Sequence, residues 1–262
     1  MAAQGTRDRA TDLLTLHRDP RLLTVVNVWD SISAKVVAGT EGTKALATAS
    51  HSIAASLGYP DGEQIPLDEM LAAVERIVDS TALPVTADLE GGYGDAAETV
   101  RRAIGVGAVG ANIEDQMKPL PEAAAQVEAI MKAAEAEGVD FVLNARTDAF
   151  SYARGKGLDP ADVFADALER TRAYVDAGAP VVFIPAILTE EQVSAAVEAL
   201  GRQVLTMIAI PGNPPLARLE ELGVARVSFG PLSQNVALTA LQELVERVQR
   251  GEGVPDNLRL LN

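Results

Sequence analysis

The sequence predicts a (β/α)8 barrel, and three observations predict it. Eight short β-rich apolar runs recur along the 262 residues. Helical patterns, with apolar residues at three- and four-residue spacing, separate most of them. The runs are apolar almost continuously rather than alternately, which marks a parallel sheet buried on both faces. Eight such units in this length fit a closed barrel. A doubly wound open sheet is the runner-up, because periodicity does not register closure.

The elements follow in order. "MAAQGTRDRATDLLTLHRD" opens the chain as a charged helix, with His17 expected on its surface. The first strand is "LLTVVNV" (22–28), followed by the helix "SISAKVV" with Asp30 as its cap. "KALATAS" (44–50) is the second strand. "LPVTADLE" (83–90) is the third, after the helix "LDEMLAAVERIVDS", and "VGANIED" (109–115) is the fourth, after "DAAETVRRAIGVG". "FVLNART" (141–147) and "VVFIPA" (181–186) follow the helices "PEAAAQVEAIMKAAEAEG" and "DPADVFADALERTRAYVDAG", which glycines stop. "QVLTMIA" (203–209) and "ARVSFG" (225–230) complete the strands, and the amphipathic run "NVALTALQELVERVQR" comes after them. No low-complexity linker interrupts the pattern, so residues 1–262 read as one barrel domain.

Composition narrows the function. With 22 basic and 37 acidic residues the formal net charge is −15, a surface that repels nucleic acid and anionic membranes. No apolar run approaches a membrane span or a signal-peptide core, so the reading is cytoplasmic. The absence of cysteine excludes disulfides, thiolate nucleophiles and zinc–sulfur sites. An anionic substrate is allowed, provided the site gathers positive charge locally.

In a barrel of this kind the chemistry sits where strands end and the following loops begin. Charge gathers on three neighbouring strand ends: Asp88 and Glu90 on the third, Glu114 and Asp115 on the fourth, Arg146 and Asp148 on the fifth. Residues two apart on a strand point to one side, so Asp88 and Glu90 can converge, with Glu114 beside them. Three close carboxylates repel unless a cation joins them. An oxygen-only donor set suits Mg2+ or Mn2+, with one carboxylate binding directly and the others holding waters. Glycines 91, 92 and 94 are expected to open the backbone to substrate and ion. Tyr93 either donates its hydroxyl to a developing oxyanion or wedges the loop, and Lys118 reads first as a solvated loop residue, though it is the lysine well placed to close over the site. Asp148 is expected to orient Arg146 or cap a helix.

These residues resemble the isocitrate lyase/phosphoenolpyruvate mutase superfamily. The matching pieces are "NVWDSISAKVV", "SIAASLGYPDG", "ADLEGGYG", "GVGAVGANIEDQ", "LNARTDAF" and "ARVSFGP", in order over nearly the whole chain. The resemblance implies a Mg2+-dependent (β/α)8 barrel that cleaves or forms C–C or P–C bonds next to an α-oxo carboxylate. It also implies a homotetramer with a C-terminal helix exchanged between subunits. By motif, Asp88 matches the direct metal ligand, with Glu90 and Glu114 the other acidic positions. Arg146 matches the substrate-binding arginine, Asp61 an acidic residue facing the site, and Ser50 lies at the carboxylate-binding strand end.

The departures bear on the reaction. The cysteine-bearing lid of the isocitrate and methylisocitrate lyases has no counterpart, and the mutases' lysine after "E-D" is Gln116 in the short segment "EDQMKPLPEAAAQ". The family histidine at the end of strand six is Pro185. The expected reaction is retro-aldol cleavage or decarboxylation of a small oxo or 2-hydroxy di-acid, through an enolate that the metal stabilises as a Lewis acid. The alternatives are P–C bond hydrolysis or mutation, and a non-catalytic oxo-acid binder. The sequence leaves the particular acid open.

Overall fold

In the computed structural model, which describes residues 2–261, all eight predicted strands form and pair in parallel. The first is split into β1 (Leu23–Val25) and β2 (Asn27–Val28). The others are β3 (Leu46–Thr48), β4 (Val85–Asp88), β5 (Gly110–Glu114), β6 (Val142–Arg146), β7 (Val181–Ile184), β8 (Leu205–Ile208) and β9 (Arg226–Ser228). Sheet order runs β1-β9-β8-β7-β6-β5-β4-β3-β2. Its two ends, β1 and β2, are separated by Val26 alone, so the chain itself closes the sheet. The open-sheet alternative is thereby excluded.

Asn27 locks this seam. Its Oδ1 accepts the amides of Phe229 and Gly230 at 2.8 Å each, from the end of β9, and its Nδ2 donates to the Thr48 carbonyl on β3 at 2.7 Å. One side chain thus ties the last strand to the second predicted one.

The helices are α1 (Gln4–Arg18), α2 (Ser31–Ala38), α3 (Ser50–Leu57), α4 (Leu67–Val78), α5 (Ala96–Gly105), α6 (Leu120–Ala136), α7 (Ala149–Ala153), α8 (Pro160–Asp176), α9 (Glu190–Leu200), α10 (Leu216–Leu222) and α11 (Leu232–Gln249); the sequence reading named no segment for α3, α7, α9 or α10. Asp30 caps α2 as expected, in a reciprocal box with Ser33. Helix α1 lies across the N-terminal end of the strands. A Cβ at Gly110 would sit 3.0 Å from Leu13 Cδ2, so the missing side chain lets the helix approach.

His17 corrects the sequence reading. It is buried, on the stripe Thr6, Ala10, Leu13 and His17 that α1 turns inward, and its Nδ1 lies 2.8 Å from the Leu13 carbonyl. The neighbouring charges Arg18 and Asp19 hid this spacing. Burial, with Arg226 adding to it, pushes the imidazole down to about 3, so it is neutral at ordinary pH.

Barrel interiors of this fold are dominated by branched apolar side chains. Here a polar ladder crosses the middle. Thr206 donates to Asn144 Oδ1 at 2.7 Å, Asn144 Nδ2 donates to Asn112 Oδ1 at 2.7 Å, and the guanidinium of Arg226 donates to the same Asn112 oxygen at 3.2 Å.

Helix α11 departs from the rest. Gln234 in its first turn is buried and donates to the Ser52 carbonyl and Ser56 Oγ of α3. Beyond that point Val236, Leu238, Leu241, Val245 and Val248 are all at least half exposed.

Candidate functional site

The C-terminal ends of β4, β5 and β6 bring Asp88, Glu114 and Arg146 together, because their registers align. Asp88 pairs with Asn112 across β4 and β5, and Glu114 with Arg146 across β5 and β6.

Asp88 Oδ2 accepts both the amide (3.0 Å) and the hydroxyl (2.8 Å) of Ser50, while its own amide donates to Thr48 Oγ1. The N-cap of α3 is Ala49, which offers no capping side chain. Asp88 does this from the neighbouring strand, with its negative charge at the helix N-terminus. Ser50, read from the sequence as a strand end, is the first residue of α3 and is engaged with Asp88.

Glu90 is buried and takes a left-handed backbone, φ 52°. Its Oε2 accepts the amide of Glu63, and its Oε1 accepts the Tyr93 hydroxyl at 3.3 Å. Glu63 in turn accepts the Tyr93 amide at 2.7 Å. Glu63 (φ 58°) and Tyr93 (φ 54°) are left-handed too. Three non-glycine residues in that region each carry roughly 1–2 kcal/mol of strain, and mutual hydrogen bonds hold them there. Asp61 is exposed on the same loop, and its charge adds to the upward push on the Glu90 carboxyl, which burial begins. Burial and Glu90 also hold the Tyr93 phenol protonated far above its usual range.

Arg146 is gripped from two sides. One nitrogen meets Glu114 Oε2 at 2.9 Å, and Nε and a second nitrogen meet Asp148 Oδ1 at 2.9 and 2.7 Å. Asp148 orients Arg146, as the sequence reading expected. Burial pushes the Glu114 carboxyl up to about 8, against the lowering effect of Arg146, and Asp148, Asp88 and Glu90 push the same way.

These carboxylates outnumber the single cation among them, and a divalent ion would relieve the surplus. The oxygen-only donors suit Mg2+. The described residues contain no group of three or more His, Cys, Asp or Glu side chains gathered tightly enough to hold an ion directly. Asp88, Glu90 and Glu114 stand close enough at these strand ends that Asp88 influences the charge of both others, and Glu90 that of Glu114.

The glycines act differently from the sequence reading. A Cβ at Gly91 would fall 2.2 Å from the Gln116 amide nitrogen, and one at Gly92 (φ 93°) would fall 2.4 Å from the Ala96 Cβ. Only at Gly94 (φ 85°) would a Cβ meet open space. The first two glycines make room for the protein's own side chains.

The segment after Glu114 is tied down. Asp115 faces away from the mouth and accepts from Arg170 at 3.3 Å and from the Tyr174 hydroxyl at 2.5 Å, both on α8. Gln116 and Met117 are left-handed, φ 49° and 54°. Lys118 donates from Nζ to Gln126 on α6, which draws it away from the mouth. Sequence reading missed Glu63, the Asp115–Arg170–Tyr174 hub and Arg226. The pairing of Asp115 with Glu114 held the one available signal, since adjacent strand residues face opposite sides.

Comparison with known proteins agrees with this architecture. The family described as phosphoenolpyruvate phosphomutase matches residues 13–249. The chain is 35% identical over 217 residues to the 2-methylisocitrate lyase of Escherichia coli, covering 76% of this chain and 70% of that one. It is 32% identical over 253 residues to the 2,3-dimethylmalate lyase of Eubacterium barkeri, covering 90% and 84%. The solved structure of oxaloacetate acetylhydrolase in complex with the product oxalate superposes with a TM-score of 0.83 at 28% identity, covering 96% of this chain and 91% of that chain.

Proposed function

The chain belongs to the phosphoenolpyruvate phosphomutase family, and from that premise we propose that it is a Mg2+-dependent carbon–carbon lyase. Its substrate is a small α-oxo or 2-hydroxy di-acid, cleaved next to the oxo or hydroxy carbon. The observation that carries this reading is the Glu114–Arg146 pair beside Asp88 at adjacent strand ends, in a chain with no cysteine. Asp88, Glu90 and Glu114 would hold a divalent ion, which when bound would supply Lewis-acid stabilisation for the charge that cleavage leaves.

The remaining steps fall to the chain's own groups. Arg146, held in one orientation by Asp148, presents a planar fork to a substrate carboxylate. Tyr93 keeps its phenolic proton and is the donor at the mouth, with Glu90 as its hydrogen-bond partner. Asp61 and Ser50 border the substrate space, Ser50 by fixing Asp88. Lys118, turned onto Gln126, argues against P–C chemistry, which needs a lysine over the site. The reaction is set in the cytoplasm; among the described residues no helix is long and apolar enough to cross a membrane.

The test is a panel of oxaloacetate, 2-methylisocitrate, 2-oxo-acid aldols and phosphonopyruvate with Mg2+, read by pyruvate release and, separately, by phosphate release. Turnover of a carbon substrate without phosphate release is the expected result. Phosphate release from phosphonopyruvate would move the chain to P–C chemistry. Oxalate binding without any turnover would make it a non-catalytic binder.

The same reading includes a homotetramer in which α11 is exchanged. The unburied apolar face of α11 lies beside an apolar groove of about 560 Å3 lined by Val26, Trp29, Ile32, Val36 and Phe229, a fit for the same helix of a second copy. Light scattering at micromolar concentration is expected to give four times the chain mass, and a monomer mass would refute it.

A further inference from the structure

Arg226 is the largest fully buried side chain among the described residues, with 1% of its surface exposed. It rises from the start of β9 into the barrel interior, where one nitrogen donates to Asn112 Oδ1 at 3.2 Å. Its Nε and second terminal nitrogen meet no protein acceptor, and no carboxylate touches it. A guanidinium desolvated in this way is costly, and an apolar side chain of similar length would fill the volume at no such cost. The charge needs a counterpart, and the topology supplies one. Asn112, which Arg226 grips, is the direct register partner of Asp88 on the adjacent strand. Adjacent strands lie about 4.8 Å apart, so the buried cation sits one strand spacing and one side chain from the acid that faces the mouth. Burial draws the Arg226 guanidinium down to about 10, while Asp88 pulls it up; it stays charged at ordinary pH.

Resting on the lyase reading above, we propose that Arg226 is a positioning residue: a fixed positive charge, braced by Asn112, lies beneath Asp88 and divides the site's affinity between cation and anion. A positive charge there weakens the hold of the carboxylates on Mg2+ and strengthens the hold on a di-acid. At the mouth Arg146 is the cation in hydrogen-bond contact with the carboxylates, and it is already shared by Glu114 and Asp148. Arg226 offsets the remaining negative charge from inside the barrel, where bulk solvent and salt screen it least. The Thr206–Asn144–Asn112 ladder holds its acceptor in place.

The two affinities move in opposite directions when the charge is removed, which a merely structural role would not produce. The experiment compares wild type, Arg226→Met and Arg226→Lys in the full chain by calorimetry. Mg2+ is titrated alone, then oxalate is titrated in saturating Mg2+. For Arg226→Met, Mg2+ is expected to bind about tenfold more tightly and oxalate about tenfold more weakly. Arg226→Lys should return both values close to wild type. Joint weakening of both ligands, or no change in either, overturns the proposal. Should Arg226→Met fail to fold, Arg226→Gln is read by the same titrations; if neither folds, Arg226 is a structural residue and the proposal fails. A wild-type chain that binds no Mg2+ overturns the metal reading and this inference with it. That case is told apart at once, because the wild-type titration is already flat.

Discussion

Wild type is expected to gain thermal stability from Mg2+ with oxalate, and Asp88→Asn to abolish that gain and to lower turnover by about a thousandfold or more, since a Lewis acid contributes several kcal/mol to such a step. Asparagine is chosen because Asp88 does two things. Its Oδ2 accepts from the amide and hydroxyl of Ser50 and so caps α3 in place of Ala49. An amide oxygen can still accept both bonds, so Asp88→Asn removes the charge and leaves the cap. Asp88→Ala removes both, and should cost a further ~1 kcal/mol of stability, the usual magnitude for a lost cap. In metal-free buffer the asparagine variant should therefore melt near wild type and the alanine variant lower. With Mg2+ and oxalate both curves should stay where they were. A normal metal titration in the asparagine variant would remove Asp88 from the metal site, and with it the arrangement in which Glu90 and Glu114 hold water around an ion.

What the sequence discloses of this molecule is what its periodicity encodes. Every strand and the helices α1, α2, α4, α5, α6, α8 and α11 were legible, because continuous apolar runs and three-to-four spacing report burial directly; α3, α7, α9 and α10 were not named. Closure was not, because it depends on the single residue Val26 between β1 and β2 and on the side chain of Asn27 reaching three backbone groups. Asp88, Glu114 and Arg146 were legible as charges at strand ends, where an apolar sheet has no use for them. Glu63 was not, since it sits in a polar loop where glutamate is ordinary; only the fold brings its amide to Glu90. Arg226 was hidden for the opposite reason. A basic residue at the start of a strand reads as solvent-facing, and nothing local shows that it points into a barrel whose interior is polar. His17 was within reach, because it continues the buried stripe of α1, yet the charged residues next to it masked that spacing.

Arg146→Ala is expected to weaken oxalate binding in saturating Mg2+ by roughly 2–5 kcal/mol, the range for truncating one partner of a buried charge pair. The geometry makes this loss larger than the charge alone would. Arg146 is already bonded to Glu114 and Asp148, so its fork is oriented before substrate arrives and little ordering remains to be done. Arg146→Lys keeps the charge but not the two-pronged grip or the Asp148 contact through Nε, and should fall between wild type and alanine. Lys118→Ala should be milder than either, because Nζ is engaged by Gln126 on α6 and the backbone after Glu114 is fixed by the Asp115 carboxylate, which accepts the amides of Met117 and Asp148. Calorimetry on the three variants ranks them directly. If Lys118→Ala proves the most damaging, the short segment swings Lys118 from Gln126 to the mouth when substrate binds. The lysine missing from the family position would then be replaced two residues later in the chain, and P–C bond chemistry would become the better account of the site.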